Sequence, residues 1–148
     1  MVFVSVTRVR PRSLRFLLVV ILHSWRSRHQ LRGTRGFIGG YLASGPRFGM
    51  WTVTVWEDEQ SMREYRNTGA HLKAMPKLID ACAEASFVHW TTDDRSIPSP
   101  QLISQKMKQG RTSKLRHPSS EHLTGNPWPD SKVPYRGPTL RAGSVPDR

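Results

Sequence analysis

Residues 50–65, MWTVTVWEDEQSMREY, decide how this chain is read. Trp51, Val53 and Val55 fall on one side of an extended segment, and Thr52, Thr54 and Trp56 on the other. Alternation of β-branched and aromatic residues over this length is a strand pattern. Glu57, Asp58 and Glu59 then arrive together, the first acids in the chain. They suit a helix N-terminus, where backbone amides lack partners and the dipole end is positive. Asp58 is the expected N-cap, while Ser61 and Glu64 offer a second start at capping-box spacing.

Upstream, Val2–Val9 alternates in the same way, with Val2, Val4 and Val6 opposite Phe3, Ser5 and Thr7. Leu14 to about Leu31 reads as a helix, with Ser13 as N-cap and Leu14, Leu17, Leu18, Ile21, Leu22 and Trp25 as its apolar face. Phe16, Val19 and Val20 widen that face and suggest burial on two sides, against a second subunit. Gly33 and Gly36 end the helix, and Phe37–Ala43 is a strand whose Gly39 and Gly40 point to a bulge or a close backbone approach. A hairpin turn over 44–49 leads into the opening strand. Downstream, a helix from Asp58 to about Arg66 is interrupted at Asn67-Thr68-Gly69 and resumes from Ala70 to about Ala81. Ser86–Trp90 is a fourth strand.

The order β-α-β-β-α-β is the ferredoxin-like arrangement: α+β, one antiparallel sheet with two helices on one face. Both strand faces carry bulky apolar groups, so the face away from the helices needs a cover. A homodimer is the expected one.

Composition divides the chain. Eleven of its aromatic residues and only three prolines lie in residues 1–92, against two aromatics and eight prolines afterwards. The domain is therefore placed at 1–92. Residues 93–120 read as an extension with a short helix over 100–109, opened by Ser99-Pro100 and closed by Gly110. Residues 121–148 read as a disordered Pro- and Gly-rich tail.

The net charge of +12 favours anionic partners, although solvated arginine is the commoner meaning of such a balance. A single cysteine, Cys82, rules out an intrachain disulfide and a cysteine zinc cluster, and its apolar surroundings read as core. The apolar run Phe16–Leu22 is far short of the roughly 20 residues that cross a bilayer, so no membrane partner and a cytoplasmic location are expected. No phosphate-binding loop, nucleophile elbow or metal-ligand spacing occurs. Arg35–Tyr41 only loosely matches an RNA-recognition motif, on the wrong strand.

Asn67-Thr-Gly-Ala-His71 is the best candidate for chemistry. It breaks a helix and brings an amide, a hydroxyl and an imidazole together; His71 can serve as a base near neutral pH. The structural alternative makes Asn67 and Gly69 helix-end residues and His71 part of the next cap.

Trp51 to His71, with Phe37-Ile-Gly-Gly-Tyr41, Ala74-Met-Pro76 and Glu84-Ala-Ser86 before His89-Trp90, resembles the dimeric α/β-barrel superfamily. The resemblance is to its antibiotic-biosynthesis-monooxygenase-like and spheroidene-monooxygenase-like domains. It implies a ferredoxin-like fold paired through its sheets and a cavity between sheet and helices. It also implies either cofactor-independent oxygenation of aromatic substrates or haem degradation. The haem degraders' residues do not carry over. Strand one has Ser5 and Thr7 but no Asn, Tyr65 stands at the Trp position, and Met75 near the His position, one turn after His71.

The expectation is a monooxygenase-like protein with no cofactor. It binds a hydrophobic or aromatic small molecule against Trp51 or Trp56, with Tyr65 or His71 handling protons and Asn67 orienting the ligand. The alternative is a non-enzymatic protein of the same fold that binds an anionic partner such as nucleic acid through Arg8, Arg10, Arg12 and the tail cations.

Overall fold

The computed structural model describes residues 1–143. Six antiparallel strands form one sheet in the order β5-β4-β1-β3-β2-β6. In chain order the elements are β1 (Val2–Pro11), α1 (Leu14–Leu31), β2 (Phe37–Ser44), β3 (Met50–Trp56), α2 (Glu59–Arg66) and α3 (Gly69–Ala81). They continue with β4 (Cys82–Thr92), α4 (Pro100–Met107), β5 (Arg111–Thr112), α5 (Ser120–Leu123) and β6 (Tyr135–Arg141). The first four strands and the helices between them make the α+β, ferredoxin-like fold. The opening stretch behaves as read: β3 sits between β1 and β2, and Asp58 caps α2 by accepting from the Ser61 amide at 2.7 Å.

The Gly39-Gly40 pair serves both purposes expected of it. The pairing of β2 with β3 shifts register between Phe37 and Gly39. At Gly40 a Cβ would collide with the Val53 carbonyl. Only a residue without a side chain fits there.

Strand alternation separates two apolar clusters. Val2, Val4, Val6, Tyr41, Trp51, Val53 and Val55 share one face with Ile103, Met107 and Trp128. Phe3 and Trp56 lie on the other, with Leu31, Phe37, Met62, Tyr65 and Leu140. The first face was expected to meet a second subunit, and here the chain covers it itself. α4 lays Ile103 and Met107 on it, Trp128 meets Trp51 edge-on at 6.1 Å, and the Tyr41 hydroxyl donates to the Pro98 carbonyl at 2.8 Å. That burial pushes the Tyr41 phenol up to about 12.

The expected disordered tail is corrected over 121–143. Trp128 is buried, and Tyr135–Arg141 pairs with β2 as the edge strand β6. Proline content misleads here because an edge strand tolerates proline where an amide would face outward. Gly137 and Pro138 sit where the β2–β6 pairing skips between Tyr41 and Ala43. Residues 144–148 of the expected tail lie outside the described residues. The short helix of the extension is present, with Ser99 accepting from the Leu102 amide at its start.

α1 has the expected bounds but the opposite orientation. Leu14, Leu18, Ile21, Leu22 and Trp25, read as its packing face, are exposed. Val20 and Leu31 are its buried residues, and Phe16 and Val19 pack beside Val20, Ala81 and Cys82. Cys82 opens β4 fully buried, which pushes its thiol up to about 12 and suits a core residue.

Candidate functional site

A cavity of about 280 Å³ lies between the sheet and the α1–α3 layer. Its floor is the polar side of the strands: Ser5 and Thr7 of β1, Thr52 and Thr54 of β3, and Phe87 and His89 of β4. Register explains the grouping, since Ser5 pairs with both Thr54 and His89, and Thr7 with both Thr52 and Phe87. The roof is His23, Ser27 and Leu31 of α1, Met62 and Tyr65 of α2, and His71 and Met75 of α3. An apolar volume with a few hydroxyls and imidazoles has the character of a small-molecule pocket.

Trp56, Tyr65 and His71 form a continuous aromatic wall. Trp56 and Tyr65 have ring centres 5.3 Å apart, and Tyr65 and His71 4.9 Å. The Tyr65 hydroxyl donates to the Ser27 carbonyl at 3.1 Å. Burial holds its phenol far above the ordinary range, outweighing that bond. Tyr65 therefore stays protonated with its proton engaged, and the role of base falls away from it.

His71 is different. Its Nδ1 lies 3.2 Å from the Arg66 carbonyl oxygen. A carbonyl only accepts, so Nδ1 carries the hydrogen and Nε2 keeps a free lone pair. Burial, reinforced by the Arg66 charge, lowers the His71 pKa despite that backbone bond, so the ring is neutral at pH 7. His89, between Phe3 and Phe87 at 5.3 Å from each ring, is also lowered, chiefly by burial.

The helix break that carries His71 is held by Gln30 of α1. Its amide donates to the Tyr65 carbonyl at 3.2 Å and the Thr68 carbonyl at 3.1 Å. Its own carbonyl accepts from the His71 amide at 2.9 Å. Helix ends leave carbonyls and amides without partners, and one side chain supplies both kinds. Gly69, at φ +56°, lets the chain turn against it; a Cβ there would sit 3.0 Å from the Gln30 amide group.

Of the residues named from sequence, Trp56, Tyr65 and His71 come together in the cavity wall. Trp51 does not: strand alternation puts it on the opposite face, against Trp128. Asn67 does not either. It is the exposed C-cap of α2, its side-chain oxygen accepting from Arg66, which is the helix-end role considered beside the catalytic one. His23, His89, Gln30 and the strand hydroxyls were missed. The Ser/Thr alternation in β1 and β3 was the available signal, but it marks a side of the sheet without saying which side holds a cavity. Among the described residues no three His, Cys, Asp or Glu converge as a metal site.

Arg8, Arg10 and Arg12, proposed together with the tail cations for a polyanion, have partners inside the fold. Arg8 is 2% exposed and donates to Glu84, also 2% exposed, and to Asp130, both at 2.8 Å. Arg10 donates to Glu84 at 3.0 Å. Arg47, in the 46–48 turn with φ +55°, donates to Asp130 at 2.8 Å. Arg12 donates to the Asp80 carbonyl and covers the Phe16 ring. Burial alone would raise the Glu84 carboxyl, but the Arg10 and Arg8 hydrogen bonds hold it below the usual range. Asp130 is lowered in the same way, with Arg47 and Arg8 outweighing burial. These charges clamp the C-terminal segment to β1 and β4, and with Arg8, Arg10 and Arg12 engaged the nucleic-acid alternative is left with the tail cations.

The fold and cavity define a class: a ferredoxin-like domain with a cavity of about 280 Å³ between sheet and helices. Several solved structures share this fold. The chain is similar to Rv0793 from Mycobacterium tuberculosis, with a TM-score of 0.59 at 10% identity over 65% of this chain and 99% of that one. It is similar to an antibiotic biosynthesis monooxygenase at TM-score 0.55 and 10% identity, over 64% of this chain and 100% of the other. It is also similar to SnoaB, a cofactor-independent oxygenase from Streptomyces nogalater, at TM-score 0.54 and 14% identity, over 66% of this chain and 98% of SnoaB. At these identities the likeness establishes the fold. Neither a family model nor a curated protein sequence matches the chain.

Proposed function

We propose that the cavity binds a hydrophobic aromatic molecule and that the chain oxygenates it without a protein-bound cofactor, with His71 as proton acceptor. The observation that carries this reading is the place of His71: half-buried in the cavity wall, its Nδ1 3.2 Å from the Arg66 carbonyl oxygen, which leaves Nε2 as the basic nitrogen. The likeness to a cofactor-independent oxygenase supports the reaction class.

Without a cofactor, the electrons that reduce dioxygen come from the substrate. An activated methylene beside a carbonyl or phenol meets that need: R₂CH₂ + O₂ gives R₂C=O + H₂O. His71 Nε2 takes one methylene proton, and the resulting carbanion transfers its electrons to oxygen. Carbon–oxygen bond formation and loss of the second hydrogen follow, with the protons leaving in water. Trp56 and Tyr65 supply the flat apolar surface for the rings, and Thr7, Thr52 and Thr54 the polar contacts opposite.

Anthrone is a suitable probe. Oxygen uptake above the spontaneous rate is expected, and His71→Ala should lower kcat by about a hundredfold or more, the usual share of a general base. Unchanged kcat in His71→Ala removes His71 from the chemistry. No uptake above background with anthrone, together with no binding of it, removes the oxygenase reading.

A further inference from the structure

The helix layer has an outer side that the fold leaves bare. Leu14, Leu18, Ile21, Leu22 and Trp25 recur on α1 at spacings that put them on one face. Leu14, Leu18 and Trp25 are 63%, 70% and 66% exposed. On the neighbouring α3, Leu72, Met75 and Ile79 are exposed as well. Exposed leucines are ordinary when scattered; a stripe of this length beside a second one marks a docking surface.

Charge says what would cover it. α1 carries Arg15, Arg26 and Arg28, with Arg32 at its C-cap, and no acid, and α3 adds Lys73 and Lys77. Asp80 is the one carboxylate on either helix. It is already engaged, 3.6 Å from Arg116, 3.5 Å from His117 and 4.0 Å from Arg12. A second copy of this chain, docked face to face, would bring cationic rows together with no free acid between them. An anionic sheet of lipid headgroups over an apolar interior complements both the stripe and its cations.

We propose that the outer face of α1, with the exposed residues of α3, lies on the surface of an anionic lipid bilayer, α1 in the plane of the interface. No helix among the described residues is long and apolar enough to cross a membrane, so the attachment is peripheral. Leu14, Leu18, Ile21 and Leu22 enter the headgroup–acyl boundary. Trp25 sits at its polar edge, where an indole is favoured, stacked on His29 at 6.4 Å. Arg15 and Arg26 meet the phosphates. Met75 and Ile79 belong both to the exposed surface and to the cavity wall, so the mouth of the cavity adjoins the docked face. A hydrophobic ligand would then reach the cavity from the lipid. The docking itself does not depend on any chemistry in the cavity.

The test is co-sedimentation with vesicles of phosphatidylcholine alone and of an equimolar phosphatidylcholine–phosphatidylglycerol mixture. Partitioning onto the mixed vesicles should exceed that onto phosphatidylcholine by about tenfold or more and decline as salt is added. The double variant Leu18→Gln/Trp25→Gln should lose about tenfold of it, with circular dichroism and urea midpoint unchanged because both side chains are exposed. Absence of binding to either vesicle, equal binding to both, or full binding by the double variant would overturn the proposal. So would a dimeric mass in light scattering that the same variant converts to a monomeric one, which would assign the face to a second copy.

Discussion

The two faces of one sheet have opposite fates. On the Trp51 side, Val2, Val4, Val6, Val53 and Val55 meet α4 and Trp128 in a closed apolar layer. On the Trp56 side, the same strands turn Ser5, Thr7, Thr52 and Thr54 toward a cavity roofed by α1, α2 and α3. The difference is one of residue choice at alternate positions. Valine at every second position allows dry packing that any apolar segment can complete, and the chain's own extension does so. Short hydroxyl side chains on the other side do not fill the space beneath the helices, so a largely apolar cavity with a few hydroxyls survives between the layers.

The largest expected effect that separates the faces is on the clamp of the dry side. Glu84→Ala leaves Arg8 buried with only Asp130, and should cost about 3–5 kcal/mol in urea unfolding, the usual price of an orphaned buried charge. Affinity for a cavity ligand in the remaining folded protein should hold. Loss of ligand affinity at unchanged stability would mean that the faces are not independent.

Trp128→Ala comes next, at about 3 kcal/mol, because it removes the indole that seals Trp51. It should also speed hydrogen exchange in residues 120–141 while β3 amides stay protected. Uniform loss of protection across the sheet would show that the extension and the domain unfold as one unit.

The smallest effect is the pH response, and it distinguishes the faces by window. His71 and His89 have folded pKa values below the unfolded value of about 6.5. The unfolded chain therefore binds more protons, and their contribution is complete above pH 6.5 and lost as pH falls below it. The slope is at most about 1.4 kcal/mol per pH unit for each group. Glu84 and Asp130 are also depressed. Their contribution is present above the ordinary carboxylate range of about 4 and is lost only at lower pH. Urea midpoints should thus fall in two stages, and His71→Phe should flatten the upper one. A midpoint indifferent to pH between 6.5 and 5 would deny that the cavity imidazoles are held neutral.

Much of the fold was legible because it rests on local periodicity. Strand alternation in residues 2–9 and 50–56, the acid cluster at 57–59 and the glycines at 39–40 each act over a few residues, and each behaves as read. The site was half legible. Trp56, Tyr65 and His71 stand together, whereas Trp51 shares their segment but not their face, and Asn67 caps a helix end. His23 and His89 come to the cavity, and Gln30 to the helix break beside it, from elements distant in sequence, and no short-range pattern announces them. The periodicity of α1 was sound, yet its orientation was inverted, because an apolar stripe does not say whether core or surroundings will receive it.

The amino-acid sequence by itself determined the element order, the two-sided character of the strands and the break that carries His71, since backbone geometry and capping are local. Tertiary structure decided which sheet face is sealed and which holds a cavity. It also buried Arg8, engaged Arg10 beside it in an ion pair with Glu84, and turned a proline-rich tail into a sixth strand. These outcomes depend on contacts such as Arg8 with Asp130 and Trp51 with Trp128, between segments more than 70 residues apart. Their energies exist only once the sheet has brought the segments together.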